Sequence, residues 1–182
     1  MSITATKGAA AAKAASGTST GELNLGPYYI QHLSGNHYVL DVYGNNTAKG
    51  TQVIGYTVNQ PETGNQQWLF VPAGPLAPGW WYLQTQMGTE YVMTLQPHTT
   101  TGSGPVVMQP KTPGDADTQL WSLLSTEVPG YWYIQSKYGA SNSQTPVVIE
   151  LSSDASAANA VANPLSFTGF AAQAWGFKPV YW

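Results

Sequence analysis

Three histidines, nine carboxylates and no cysteine bound the chemistry open to this 182-residue chain. His32, His37 and His98 lack the HExxH spacing that sets two imidazoles on one helical face, and no thiolate is present to complete a zinc site. No Ser-His-Asp arrangement is readable. The run Asp115-Ala116-Asp117 reads as a polar hairpin tip rather than an acid/base pair. Glycoside hydrolysis would need two carboxyl groups facing each other across a cleft, and the carboxylates here are scattered. Neither catalysis, nor a metal, nor a cofactor is expected.

Non-covalent recognition is what remains, and composition biases its target. Six lysines, no arginine and a formal net charge of -3 argue against nucleic acid, because arginine is the usual bidentate phosphate ligand. The surface must be polar mainly through Thr, Ser, Asn and Gln, which suits a neutral, hydroxyl-rich ligand. No apolar run approaches the length of a membrane span, so membrane insertion is not expected.

The elements that must position such a ligand come from a repeat. "GNQQWLF" at 64–70 returns as "TQLWSL" and "AQAWGF", placing Gln66 before Trp68, Gln119 before Trp121 and Gln173 before Trp175. The tryptophans lie 53 and 54 residues apart. Each copy opens alike, with "GPYYIQ", "PGWWYLQ" and "PGYWYIQ", so that Tyr29, Tyr82 and Tyr133 match. The distance from tyrosine to tryptophan is 39, 39 and 42 residues. The copies span 26–72, 78–125 and 129–180, with Pro-Gly signals at 78–79 and 129–130 marking the joins.

Within a copy, short segments such as "YYIQHL", "HYVLDV", "TQVIGY" and "QQWLFV" are rich in β-branched and aromatic residues and are separated by Gly, Pro and Asn. They read as strands, and no window sustains a helical period over three or four turns. Four strands in each of three copies predict an all-β fold of about twelve strands, closed on itself around buried tryptophans. The glutamine is expected to hold polar backbone in the adjacent hairpin. The recurring tyrosines read as core. Trp80–Trp81 and Tyr131–Trp132 can each offer only one ring outward. His37 and His98 read as loop residues, and the "VYW" terminus should pack on the opening strand. Residues 1–25, rich in Ala, Ser, Thr and Gly, read as a flexible tail without the hydrophobic stretch of a secretory signal.

Three Gln-x-Trp motifs at this spacing resemble the ricin B-chain-like lectins over residues 26–180. The resemblance implies a β-trefoil with pseudo-threefold symmetry and shallow sites for galactose or N-acetylgalactosamine, up to one per repeat. In the first repeat Asp41 would accept hydrogen bonds from two vicinal hydroxyls. Tyr56 would face the apolar side of the sugar ring, and Asn65, with Gln66 behind it, would add an amide. A carboxylate, an amide and an aromatic plate do complement a ring with one polar rim and one apolar face. An aspartate before "VYGNN" also suits a turn.

The second repeat places Thr94, Pro110 and Thr118 at the positions of Asp41, Tyr56 and Asn65, and no galactose-type site is expected there. The third places Glu150 at the carboxylate and Ala172 at the asparagine. Its aromatic position falls near Leu165, with Phe167 in reach, so a weaker site would rest on Glu150 and Phe167. One shallow site implies millimolar to micromolar affinity, on the order of 4 to 8 kcal/mol, and a homodimer would supply avidity. The missing signal and cysteines resemble cytoplasmic lectins of fungi with a defence role, which sets the expected localisation; bacterial origin is the other option. The rival reading is a β-trefoil protease inhibitor acting through the loops 97–105 or 152–160.

Overall fold

The structure is a computed structural model and describes residues 26–34, 36–166, 168 and 170–180. The expected tail at 1–25 lies outside the described residues. The twelve expected strands are present in one sheet. The first copy supplies β1 (Tyr28–His32), β2 (Val39–Val42), β3 (Val53–Tyr56) and β4 (Trp68–Pro72). The second supplies β5 (Trp81–Thr85), β6 (Tyr91–Leu95), β7 (Gly104–Pro110) and β8 (Trp121–Ser125). The third supplies β9 (Tyr131–Ser136), β10 (Val147–Leu151), β11 (Ala158–Pro164) and β12 (Ala174–Pro179).

The first and last strands of the copies close a ring. β1 pairs with β4, β4 with β5, β5 with β8, β8 with β9, β9 with β12, and β12 returns to β1. The middle strands form the hairpins β2–β3, β6–β7 and β10–β11, and these meet through β11, which pairs with both β3 and β7. A ring leaves few unpaired backbone edges, which is what a chain so poor in charge needs. The Pro-Gly joins work as turns because Gly79 (φ 81°) and Gly130 (φ 83°) adopt the left-handed conformation that a side chain disfavours. Val180 donates its backbone N–H to the Pro27 carbonyl at 3.0 Å, so the "VYW" end meets the opening segment at Val180, while Tyr181 and Trp182 lie outside the described residues.

One side-chain atom marks where the hairpins converge. Gln52 Nε2 lies 3.1, 2.9 and 3.1 Å from the carbonyl oxygens of Val53, Val106 and Ala160. Those residues precede β3 Ile54, β7 Val107 and β11 Val161, which pair with Asp41, Thr94 and Glu150 in their respective hairpins. A single amide from the first copy therefore serves equivalent carbonyls of all three.

Trp68, Trp121 and Trp175 are fully buried in one core with Ile30, Leu83 and Ile134. Their indole N–H groups donate to the carbonyls of Leu40, Met93 and Ile149 at 2.9, 3.0 and 2.9 Å. Satisfying the N–H locally lets the whole ring be buried without a polar penalty. Tyr29, Tyr82 and Tyr133 are buried as expected.

The sequence reading needs correcting in three places. A short helix, α1 (Lys137–Asn142), stands where only loop was expected; Ser136 caps it by accepting from the Gly139 N–H at 3.3 Å. At under two turns it carries no readable period. Asp115 is more than a polar tip, since its carboxylate accepts from the Tyr82 hydroxyl at 2.7 Å and the Gly74 N–H at 2.9 Å. The loops proposed for protease contact are shorter than expected: 104–105 lie in β7, and 158–160 lie in β11 with Ala158 and Ala160 buried. Thr99 braces the remaining tip by accepting from the Ser103 N–H at 3.0 Å.

Candidate functional site

Asp41 lies on β2, one residue after Leu40, whose carbonyl is held by the Trp68 indole. Leu40 and Val42 point into the core. Strand alternation turns Asp41 to the other face. The tryptophan thus fixes the backbone immediately before the carboxylate, and the glutamine two residues earlier fixes the carboxylate itself.

Gln66 Nε2 donates to Asp41 Oδ2 at 2.7 Å and to the Thr57 carbonyl at 2.8 Å, while its Oε1 accepts from the Asn59 N–H at 2.8 Å. Asn65 Nδ2 donates to Asp41 Oδ1 at 3.0 Å and to the Val42 carbonyl at 3.1 Å. Both amides sit in the 3-10 turn Gly64–Gln66 and are buried, and Asp41 is 3% exposed. Burial pushes the Asp41 carboxyl up to about 6, against the opposing pull of the bonds from Gln66 and Asn65. An ionised carboxylate has about four lone-pair positions, and two donors occupy one on each oxygen. The others can accept from hydroxyls.

Beside this buried acceptor the ring of Tyr56, at the end of β3, is 39% exposed. Asp41, Asn65 and Gln66 are therefore brought into hydrogen-bonding contact, and Tyr56 lies at the next ladder pair on the face of Asp41, with one change of role. Both N–H groups of the Asn65 amide and of the Gln66 amide are directed within the protein, so these residues hold the carboxylate rather than offering donors outward. Sequence reasoning passed over Tyr43, which follows Asp41 by two residues and is 59% exposed. It opens the 3-10 turn Tyr43–Asn45 that follows β2, and the Gly-Asn-Asn run after it was the turn signal that could have found it.

The glutamine bonds recur in every copy. Gln119 Nε2 donates to Thr94 Oγ1 at 3.2 Å and the Pro110 carbonyl at 2.8 Å, and its Oε1 accepts from the Thr112 N–H at 2.7 Å. Gln173 Nε2 donates to Glu150 Oε2 at 2.7 Å and the Pro164 carbonyl at 3.1 Å, and its Oε1 accepts from the Ser166 N–H at 2.8 Å. Thr94 and Glu150 thus take the place of Asp41.

The aromatic positions are shifted from those expected. Tyr56 pairs with Val39, two residues before Asp41, and the corresponding partners of Val92 and Val148 are Gln109 and Asn163. Pro110 and Pro164 instead match Thr57, whose carbonyl serves the glutamine. The β10–β11 hairpin is two residues shorter than β2–β3, so counting forward from Glu150 overshoots to Leu165. That residue packs against the cluster of Tyr133, Val148 and Ala174. Phe167 lies outside the described residues. In the third copy Asn163 Nδ2 donates to Glu150 Oε1 at 2.6 Å, so the carboxylate again has two amide partners, but an amide stands in the place of the aromatic plate. The second copy has neither a carboxylate nor a plate.

No protein-family model and no curated sequence matches the chain. Solved structures do match it. ThreeFoil, a designed 3-fold symmetric protein, aligns with a TM-score of 0.68 at 22% identity, over 84% of this chain and 99% of that one. The earthworm R-type lectin C-half in complex with GalNAc aligns with a TM-score of 0.54 at 19% identity, over 83% and 96%. An exo-β-1,3-galactanase from Clostridium thermocellum aligns with a TM-score of 0.66 at 18% identity, over 85% of this chain, which spans only 30% of that enzyme. At these identities the likeness establishes a shared fold.

Proposed function

We propose that this chain is a β-trefoil lectin, not an enzyme, that binds galactose- or N-acetylgalactosamine-type glycans through the first repeat. The observation that carries the reading is the pairing of a buried, amide-held carboxylate with an exposed ring. Asp41 accepts from two amides and keeps lone pairs for two hydroxyls, and Tyr56 offers the flat face that a sugar's C–H side needs. The fold shared with a GalNAc-bound lectin supports the same reading. Asp41 is the carboxylate of this site, whereas glycoside hydrolysis calls for two across a cleft.

A glycan array comparing the intact protein with Asp41→Ala tests the proposal. Binding to terminal galactose or N-acetylgalactosamine is expected for the parent and lost in the variant, with the thermal unfolding of both recorded to confirm folding. Binding that survives in a folded variant would move the site away from the first repeat. A single shallow site needs multivalency for tight surface binding, so a homodimer is part of the proposal, and sedimentation equilibrium would read it directly.

A further inference from the structure

We propose that Tyr43 is a second stacking plate, so that the first-repeat site reads a disaccharide rather than one sugar ring. The inference rests on the galactose-type reading above and deepens it. Among the described residues, the large apolar side chains left exposed are Tyr43, Tyr56 and Leu76, and two of the three flank Asp41.

Their placement follows from the strands. Tyr56 pairs with Val39, two residues before Asp41, and Tyr43 lies two residues after it. Val39 and Asp41 share one face of β2 by alternation, about 7 Å apart, and Tyr43 follows the strand's last residue, Val42, as the first residue of the 3-10 turn Tyr43–Asn45. The backbones of Tyr56 and Tyr43 therefore lie on opposite sides of Asp41 along the strand direction, roughly 13 Å apart. That span exceeds one pyranose ring. A single sugar gripping Asp41 and stacking on Tyr56 leaves Tyr43 for the next unit.

The backbone under Tyr43 is fixed while its ring stays exposed. Its N–H donates to the Gln52 carbonyl at 3.1 Å, its own carbonyl accepts from the Asn46 N–H at 3.2 Å, and the chain turns away at Gly44 (φ 63°). Asn65 anchors the preceding Val42 carbonyl, tying this plate to the same amide that holds Asp41. A ring presented from a rigid turn stacks at low entropic cost.

Calorimetric titration with galactose and three galactose disaccharides (lactose, Galβ1-3GalNAc and Galα1-3Gal) tests this on the parent, Tyr43→Ala and Tyr43→Phe. At least one disaccharide should bind the parent about three- to tenfold more tightly than galactose, as expected for one added stacking contact. Tyr43→Ala should erase that advantage and leave galactose affinity unchanged, and Tyr43→Phe should restore most of it. The proposal is overturned if no disaccharide outbinds galactose, or if Tyr43→Ala keeps the advantage or weakens all ligands equally. A parent that binds none of the four sugars overturns the galactose reading itself, and this inference with it.

Discussion

Gln66 Nε2 lies 2.7 Å from Asp41 Oδ2, and the same nitrogen donates to the Thr57 carbonyl at the end of the paired strand. One side chain thus joins a hairpin to the proposed ligand carboxylate. The structural use of the Gln-x-Trp phrase and its use in the proposed site are the same hydrogen bonds. The carboxylate is nevertheless uncomfortable there, because burial holds its pKa near 6.

That shift predicts that binding and stability respond to pH in opposite directions. A carboxyl whose folded pKa lies above its unfolded value of about 3.9 stabilises the fold fully below that value. This contribution is lost as pH rises through about 6. It amounts to about 2 kcal/mol between pH 4 and pH 7.5. Urea titrations of the parent and Asp41→Asn at both pH values should show the extra acid stabilisation in the parent alone, since the other carboxylates form a common background. The proposed sugar binding uses the ionised form, and should weaken as pH falls through about 6. Parallel losses of both on acidification would contradict the assignment.

The structural register predicts how to build a second site. Thr94→Asp, Gln109→Tyr and Thr118→Asn together should place a carboxylate, a plate and a holding amide around Gln119, whose bonds already match those of Gln66. Binding stoichiometry by native mass spectrometry should rise from one to two. The same triple change with Tyr at 110 instead of 109 should not add a site, because position 110 lends its carbonyl to Gln119 and its side chain falls on the other face.

Much of this was readable in advance. The tryptophan spacing located the core positions, and the β-branched segments located the four strands of the first copy, from which the repeat gave a count of about twelve. Asp41, Asn65 and Gln66 do meet, and Tyr56 shares the strand face of Asp41 at the next ladder pair, because the first copy's hairpin follows the pattern the resemblance supplied. What escaped was register and length. The two-residue contraction between Glu150 and Asn163 is masked by the larger expansion that makes room for α1, so the tyrosine-to-tryptophan count of 42 against 39 shows a net insertion without showing where either change lies. The convergence of three carbonyls on Gln52 was invisible for another reason: carbonyl positions leave no trace in side-chain identity.

That convergence predicts a stability role for Gln52 without a role in binding. Gln52→Ala should cost about 1–2 kcal/mol, since water can reach part of the site and replace some of the lost hydrogen bonding. Gln52→Glu should cost more, because it turns a carboxylate oxygen toward carbonyls at 2.9–3.1 Å. Equilibrium denaturation would rank the three proteins as parent, alanine, glutamate. Equal stability of the alanine and glutamate variants would show that the carbonyls do not sense the charge.

Gly64 opens the turn that carries Asn65 and Gln66, and a Cβ there would come within 2.4 Å of the Gln86 carbonyl oxygen. That oxygen is backbone, so the turn must move rather than a flexible side chain. Gln86 is itself anchored, donating its N–H to the Gly64 and Gln67 carbonyls at 3.2 and 3.0 Å. Gly64→Ala should therefore displace the two amides from Asp41 while leaving Trp68 in its core pocket. Because the carboxylate would lose donors that favour its charged form, its pKa should rise further above about 6. Galactose binding at pH 7 should fall at least tenfold, with about 1–3 kcal/mol lost in stability, in the range of ordinary point substitutions. Following the Asp41 carboxyl carbon by NMR through a pH titration would separate the two effects. An unchanged midpoint with lost binding would place the damage in the sugar contacts rather than in the amide clamp.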